Sequence, residues 1–153
     1  MGILIRKAVP ADCPRLLELI TELAVYERQP DAVTVSMEEF LESGFGPHPV
    51  WEAFVAEQTI AGKQEVVGMS LFYIRYSTWK GRRLYLEDII VTETMRGHGI
   101  GKQLFDATWE LCQARNYSGM VWQALDWNEP ALNFYKKYNA EFDYEWVNIS
   151  LTN

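Results

Sequence analysis

The sequence predicts one domain of the mixed α/β class, residues 1–153, in which a mostly antiparallel sheet is flanked by helices. Segments with strand-like character cluster in the middle of the chain, and segments with helical periodicity lie on either side of them. A glycine-rich turn then joins the last of the middle strands to a helix. With 153 residues, of which 48% are hydrophobic, the chain is long enough to bury a core.

The first third of the chain reads as one strand and two helices. Ile3–Lys7 is a short apolar strand, and the helical spacing of apolar residues predicts a helix over residues 10–26. Ser36, followed three residues later by Glu39, matches a capping box and predicts a second, short helix that reaches residue 42.

The middle of the chain reads as three strands joined by two hairpin turns, and the remainder alternates between helix and strand. The strands are expected at residues 51–58, 65–76 and 83–91, with turns at Gly62-Lys63 and Lys80-Gly81. Helices at residues 102–115 and 128–138, a strand at 120–125 and one or two last strands within 142–151 complete the order. The expected topology is therefore β-α-α-β-β-β-α-β-α-β(-β), an antiparallel meander followed by one β-α-β crossover.

The glycine-rich segment at residues 96–102 predicts an anion-binding site. Its three glycines, Gly97, Gly99 and Gly101, leave backbone N–H groups uncovered where a helix begins, and the helix dipole favours negative charge there. A P-loop would need Ser or Thr after Lys102, and a dinucleotide-binding loop would need Gly at that position. The segment fits neither, so another diphosphate is expected.

Composition excludes several classes of function. The formal net charge is −7 and no basic stripe is visible, so nucleic acid is not an expected partner. Two cysteines and two histidines, far apart, give neither a disulfide framework nor a metal site. No apolar run reaches the roughly 18 residues of a membrane span, and the first residues lack the pattern of a signal peptide. We therefore expect no membrane partner and a cytoplasmic location.

Several stretches resemble one family in order along nearly the whole chain. They are Ala11-Asp12-Cys13, Tyr26-Glu27, Gly44-Phe45-Gly46, His48-Pro49, Leu84-Tyr85-Leu86-Glu87-Asp88, Arg96-Gly97, Gly99-Ile100-Gly101, Trp127-Asn128-Glu129-Pro130 and Asn133-Phe134-Tyr135-Lys136. The chain resembles the GNAT-type N-acetyltransferases, and within them the spermidine/spermine N1-acetyltransferase and thialysine Nε-acetyltransferase group. The resemblance implies a twisted sheet flanked by helices, acetyl-CoA as acetyl donor without a metal, a small primary amine as acceptor, and a homodimer.

Two side chains are the expected catalytic pair. A primary ammonium has a pKa of about 10.4, so its attack at neutral pH calls for a proton acceptor. The resemblance places Glu87 in that role and as an anchor for the cation, whereas the neighbouring Asp88 could be functional or structural. The departing thiolate calls for a proton donor, and the resemblance assigns that role to Tyr135.

The resemblance also implies the residues that bind the donor. The main chain of Ile90 or Val91 would donate an N–H to the acetyl carbonyl. The pyrophosphate would lie on the loop, which comprises Arg96, Gly97, His98, Gly99, Ile100, Gly101 and Lys102. Asn128 and Asn133 would contact the pantetheine arm, or either could cap a helix instead.

The acceptor site is less closely specified by the resemblance. Tyr26 and Glu27 match a position that lines the amine site, often from the partner subunit, and Glu145 would add negative charge for a second ammonium. Trp79 would offer an aromatic face to a cation.

Three departures from the family pattern, His98, Asn139 and Ser77, leave the choice among amines open. Two other functions remain: acetylation of a protein or peptide amine, and a non-catalytic acyl-CoA-binding module. A pure binder would need neither Glu87 nor Tyr135.

Overall fold

The computed structural model describes residues 2–153, which fall into two compact units. The first unit ends at Gln123 and the second is Ala124–Asn153. The elements of the first unit are β1 (Ile3–Lys7), α1 (Cys13–Tyr26), α2 (Met37–Phe45), β2 (Glu52–Ile60), β3 (Lys63–Ser77), β4 (Gly81–Val91), α3 (Ile100–Ala114) and β5 (Met120–Trp122). The second unit contains α4 (Glu129–Lys136).

The five strands form one sheet in the order β1-β2-β3-β4-β5. Strands β1 to β4 are antiparallel, and β5 is parallel to β4 and is reached through α3. The turn between β2 and β3 consists of Ala61 and Gly62, both with positive φ, the conformation that matches the twist of a tight hairpin. The predicted mixed α/β class, with a meander and one crossover, is confirmed.

The two faces of the sheet pack against different helices. On one face Leu16 and Leu19 of α1 and Phe40 of α2 cluster with residues of β2, β3 and β4. On the other face Ile100 and Leu104 of α3 pack against β2 and its neighbours. The central strands are therefore apolar on both sides over most of their length, and their ends near the β3–β4 hairpin extend into solvent.

The predicted helix over residues 10–26 divides into a 3₁₀ turn at Pro10–Asp12 and α1 proper. The side chain of Asp12 accepts two hydrogen bonds from Arg6 of β1, at 2.8 and 3.0 Å, and one from the Val9 N–H. These contacts hold the tight turn at the start of the helix. The short helix after Ser36 is confirmed, with the Ser36 hydroxyl accepting from the Glu39 N–H, but it extends to Phe45.

The prediction of one or two last strands within residues 142–151 is wrong. These residues are in no strand, and Trp146 and Ile149 are 79% and 90% exposed. A strand needs a neighbouring strand for its N–H and C=O groups, and this segment has none within the described chain. The alternation of apolar residues therefore marks an apolar surface here, not a paired strand.

Candidate active site

The glycine-rich segment adopts the anion-binding geometry that its sequence predicts. Gly97 and Gly99 have φ values of 81° and 77°, which glycine adopts without strain. α3 begins at Ile100, with Gly99 as its N-cap and no side-chain hydrogen bond to the cap. The first N–H groups of α3 therefore keep no side-chain acceptor, and a diphosphate fits this N-terminus well.

The positive charges that flank the loop are held by protein groups. Lys102 is paired with Asp106 at 2.6 Å on the exposed face of α3. Arg96 donates from Nε to the Val91 carbonyl at 2.9 Å, and its guanidinium lies 5.4 Å from the centre of the Tyr26 ring. Arg96 thus connects the end of β4 to the end of α1, which makes it an organiser of the loop.

Glu22 on α1 is a loop-holding residue that the sequence analysis missed. Its carboxylate accepts hydrogen bonds from the Thr92 hydroxyl at 2.9 Å and from the Glu93 N–H at 2.8 Å. It also forms an ion pair with Arg96 at 3.5 Å. The 3₁₀ turn Glu93–Met95, which leads into the glycines, is therefore anchored to α1 through this one side chain. Sequence separations of about 70 residues carry no local signal that could have revealed the contact.

Glu87 lies at a β-bulge in β4. In the pairing with β3, Leu71 is opposite Asp88 and Phe72 is opposite Leu86, so Glu87 is the extra residue without a partner. A bulge redirects the side chains around it and is common next to active sites. Glu87 is exposed, whereas Leu86 is buried. The predicted proton acceptor is therefore presented to solvent by a local irregularity of the sheet.

Three carboxylates interact at this bulge. Burial, together with the negative charges of Glu87 and Glu27, raises the pKa of Asp88 to about 7. Burial also raises the pKa of Glu27, which ends α1. The structure thus brings together Glu87 and Glu27, both predicted as amine ligands, and adds Asp88. Such a group of carboxylates favours a bound cation.

Tyr73 and Tyr85 form an aromatic pair beside the bulge, and the sequence analysis assigned them no role. Their rings stack with centres 5.3 Å apart across β3 and β4. Burial raises the pKa of Tyr73 to about 12, and the nearby Glu87 carboxylate contributes because it would repel a tyrosinate. Both hydroxyls therefore stay protonated, and the pair gives the site an apolar wall with polar ends.

The last residues of β4 have a free edge on the side of β5. The parallel pairing ends at Leu86 opposite Trp122. No strand in the described chain pairs with the next five residues of β4 on that side, a gap that an extended ligand could follow. Ile90 is 5% exposed and its side chain lies in the core with α1, which leaves only its main chain for the proposed contact with the acetyl carbonyl.

Trp79 lies far from the carboxylates along the sheet. It is 89% exposed in the turn between β3 and β4, where the Ser77 hydroxyl accepts from the N–H groups of Trp79 and Lys80. About six residues of β3 separate this turn from the bulge, roughly 20 Å of strand. The structure does not bring Trp79 next to Glu87 within this chain.

The second unit carries the remaining predicted residues. Asn128 is the N-cap of α4 and accepts from the Ala131 N–H, so the capping alternative is realised. Tyr135 is 8% exposed and its ring lies 5.5 Å from that of Phe134. Asn133 is exposed on the same helix, and Glu145 is exposed in the irregular segment after it.

Neither a metal-ligand cluster nor a membrane-spanning helix is found within residues 2–153. No group of three or more His, Cys, Asp or Glu side chains in that range is arranged to hold a metal ion. No helix in the same range is both long enough and apolar enough to cross a membrane.

Comparison with known proteins identifies the family. The model of the acetyltransferase (GNAT) family matches residues 13–140. The chain is similar to thialysine N-epsilon-acetyltransferase of Bos taurus, with 41% identity over 143 residues, 91% of this chain and 84% of the relative. It is also similar to L-ornithine N5-acetyltransferase NATA1 of Arabidopsis thaliana, with 28% identity, 97% of this chain and 83% of the relative.

A third relative is spermidine/spermine N(1)-acetyltransferase-like protein 1 of Homo sapiens, at 34% identity over 89% of this chain but only 20% of the relative. Among solved structures, an aminoglycoside acetyltransferase from a soil metagenomic sample has the same fold, with a TM-score of 0.77, 20% identity and coverage of 99% and 96% of the two chains. GNAT acetyltransferases use acetyl-CoA as the donor, and the uncapped start of α3 fits its diphosphate. This chain belongs to the GNAT family of acetyltransferases and is an N-acetyltransferase.

Proposed function

We propose that the protein transfers the acetyl group of acetyl-CoA to a primary amine of a small cationic molecule, by direct attack and without a metal. The observation that carries this proposal is the β-bulge that exposes Glu87 beside Glu27 and Asp88. This acidic group lies on the strand that leads into the diphosphate-binding loop, so amine and donor would meet at the end of β4.

In the proposed mechanism the residues of β4 and α3 bind and orient the reactants. The N–H groups at Gly97 to Lys102 bind the diphosphate, and the N–H of Ile90 or Val91 donates to the acetyl carbonyl. Bound acetyl-CoA supplies the activated thioester. Glu87 accepts the proton of the ammonium, directly or through water, and the neighbouring carboxylates hold the cation in place. Holding both reactants together contributes much of the rate.

Tyr135 is proposed as the proton donor to the leaving thiolate. A tyrosine hydroxyl, with an ordinary pKa of about 10, can donate to a thiolate whose ordinary pKa is about 8.5. Asn133 and Asn128 would lie along the pantetheine arm, with Asn128 also capping α4. These assignments rest on the family resemblance of residues 127–136.

The acceptor is proposed to be a polyamine, a diamine or a lysine analogue such as thialysine. Relatives named for thialysine, L-ornithine and spermidine/spermine support a small acceptor with a primary amine. Tyr26, Glu27, Trp79 and Glu145 are the proposed acceptor ligands in addition to Glu87.

We further propose a cytoplasmic homodimer in which Tyr26 and Glu27, at the end of α1, face the boundary between the chain's own acceptor site and that of its partner. Support comes from large apolar side chains that are more than three-quarters exposed in the last residues, since such surfaces commonly mark interfaces. These side chains are Tyr144, Trp146, Val147, Ile149 and Leu151.

The test is thiol release from acetyl-CoA with a panel of amines: spermidine, thialysine, short diamines and lysine-containing peptides. The proposal expects turnover with one or more small amines and little with peptides. Preference for peptides would favour acetylation of protein amines instead. Tight acetyl-CoA binding without turnover of any amine would favour a non-catalytic acyl-CoA-binding module and overturn the proposal.

A further inference from the structure

A cationic side chain lies on the same sheet face as the carboxylates, on the far side of the tyrosine pair. Side chains two residues apart on a strand share a face, so Arg75 of β3 lies on the face of Tyr73 and Leu71. The Arg75 guanidinium is 5.7 Å from the centre of the Tyr85 ring. That ring stacks on Tyr73, so Arg75 borders the wall of the acceptor site.

The tyrosine pair lies between charges of opposite sign. Burial raises the pKa of both Tyr73 and Tyr85, and the Glu87 carboxylate acts in the same direction. The positive charge of Arg75 acts on the same two hydroxyls in the opposite direction. The site thus has a negative end at the bulge and a positive end at Arg75.

The positive end has no anion of its own. Arg75 is exposed and forms no ion pair within residues 2–153, and it lies directly opposite Arg83 in the β3–β4 register. Like charges directly opposite each other are unfavourable. The Arg83 guanidinium packs against Gly119 instead of against an anion, and an anion beside Arg75 would relieve the repulsion between the two cations.

We propose that Arg75 binds a carboxylate of the acceptor, so that the preferred substrate is an amino acid whose side-chain amine lies at Glu87. This inference rests on the proposed function and narrows its acceptor class. A diamine or polyamine would place its second ammonium against the guanidinium, where like charges repel. Arg75 would therefore select for amino acids and against polyamines.

The spacing fits an amino acid with a long side chain. Three to four residues of β3 separate Arg75 from the position opposite the bulge, about 10–13 Å along the strand. The side chains of Arg75 and Glu87 can each shorten that distance. The side-chain nitrogen and the carboxylate of an extended lysine-like acceptor are six bonds apart, about 7–8 Å.

The test compares three acceptors that share the same reacting amine. They are thialysine, its carboxamide and the corresponding diamine without the carboxyl carbon. For the wild-type enzyme we expect the highest kcat/KM with thialysine. Arg75→Gln should lower kcat/KM for thialysine about 10- to 100-fold, mainly through KM, because a charge-assisted hydrogen bond is lost. The same substitution should change kcat/KM for the carboxamide by less than about twofold and should raise kcat/KM for the diamine.

Two control variants separate recognition from structural damage. Arg82→Gln removes a neighbouring exposed guanidinium that lies on the opposite face of β4. This variant should leave kcat/KM unchanged for all three acceptors. Arg75→Lys keeps the charge and should retain part of the preference for thialysine. Far-UV circular dichroism would check that each variant is folded.

The outcomes distinguish this inference from the proposed function. Turnover of amines by the wild type with no preference for thialysine over its carboxamide would overturn the role of Arg75 and leave the proposed function standing. An equal loss of kcat/KM with all three acceptors in Arg75→Gln would also overturn the role of Arg75 and leave the proposed function standing. Absence of turnover with every amine would overturn both.

Discussion

Asp88 makes a specific prediction about how stability depends on pH. Its pKa is raised by burial, and by the charges of Glu87 and Glu27, from an ordinary 3.8 to about 7. The native state therefore holds this proton more tightly than the unfolded chain does. Raising the pH from about 4 to about 7 removes that stabilisation, because the native protein must then bear a partly buried charge.

The size of the effect follows from the difference between the two pKa values. A change from 3.8 to about 7 corresponds to about 4 kcal/mol, and relaxation of the site reduces what is observed to about 2–4 kcal/mol. In Asp88→Asn the side chain cannot ionise. The free energy of unfolding of the variant, relative to wild type, should therefore increase by about that amount between pH 4 and pH 8 and level off above pH 7.

Urea unfolding followed by circular dichroism at several pH values measures this difference. The increase with pH is the diagnostic quantity, since a constant offset reports only altered packing or hydrogen bonding. Glu38→Gln, at an exposed position in the first turn of α2, is the matched control. Its difference in unfolding free energy from wild type should change little with pH. If wild type and Asp88→Asn keep the same difference in unfolding free energy from pH 4 to pH 8, the account of Asp88 as a buried carboxyl group with a raised pKa beside Glu87 and Glu27 is refuted.

Three further predictions concern the loop, the proton donor and an ion-pair network. Glu22→Gln should raise the KM for acetyl-CoA about 5- to 10-fold with kcat within about twofold, because the loop loses its anchor to α1; an unchanged KM would contradict the role of Glu22. Tyr135→Phe should lower kcat about 100-fold but weaken acetyl-CoA binding, measured by calorimetry, by less than about threefold. Equal losses of kcat and of acetyl-CoA affinity would show that Tyr135 is a packing residue. Glu52, whose pKa is lowered to about 2 by hydrogen bonds from Arg115 and Lys7, stabilises the fold above pH 4.5 and loses that contribution as the pH falls through 2. Glu52→Gln should therefore lower the unfolding free energy by about 1 kcal/mol at pH 7, a difference that disappears near pH 2 in urea titrations.

The parts of the fold that were predicted correctly depend on local pattern. The strands and helices of the first unit follow from apolar periodicity, and the Ser36 cap follows from side-chain chemistry near the helix start. The glycine loop was also predictable, because positive φ at Gly97 and Gly99 is a property of glycine itself. The prediction of strands within residues 142–151 failed because an alternating pattern shows only where apolar side chains lie along the chain. It cannot say whether a neighbouring strand is present to pair with them.

The parts of the site that were missed depend on register and on contacts distant in sequence. The bulge at Glu87 arises from the offset between β3 and β4, which single-strand patterns do not reveal. Glu22 reads as an ordinary polar position of an amphipathic helix until its contact with Thr92 is seen. Arg75 reads as a solvated strand residue until the sheet places it beside the ring of Tyr85.

The central claim is that Glu87 accepts the proton of the amine, and the pH dependence of Glu87→Gln tests it most directly. At pH 7 only about one amine in 2,500 is neutral if its pKa is 10.4, and this fraction rises about tenfold per pH unit. We expect wild-type kcat/KM to exceed that of the variant about 100-fold at pH 7 and less than about 10-fold at pH 9.5, since solvent then deprotonates the amine. A ratio that stays constant from pH 7 to pH 9.5 would contradict proton acceptance by Glu87.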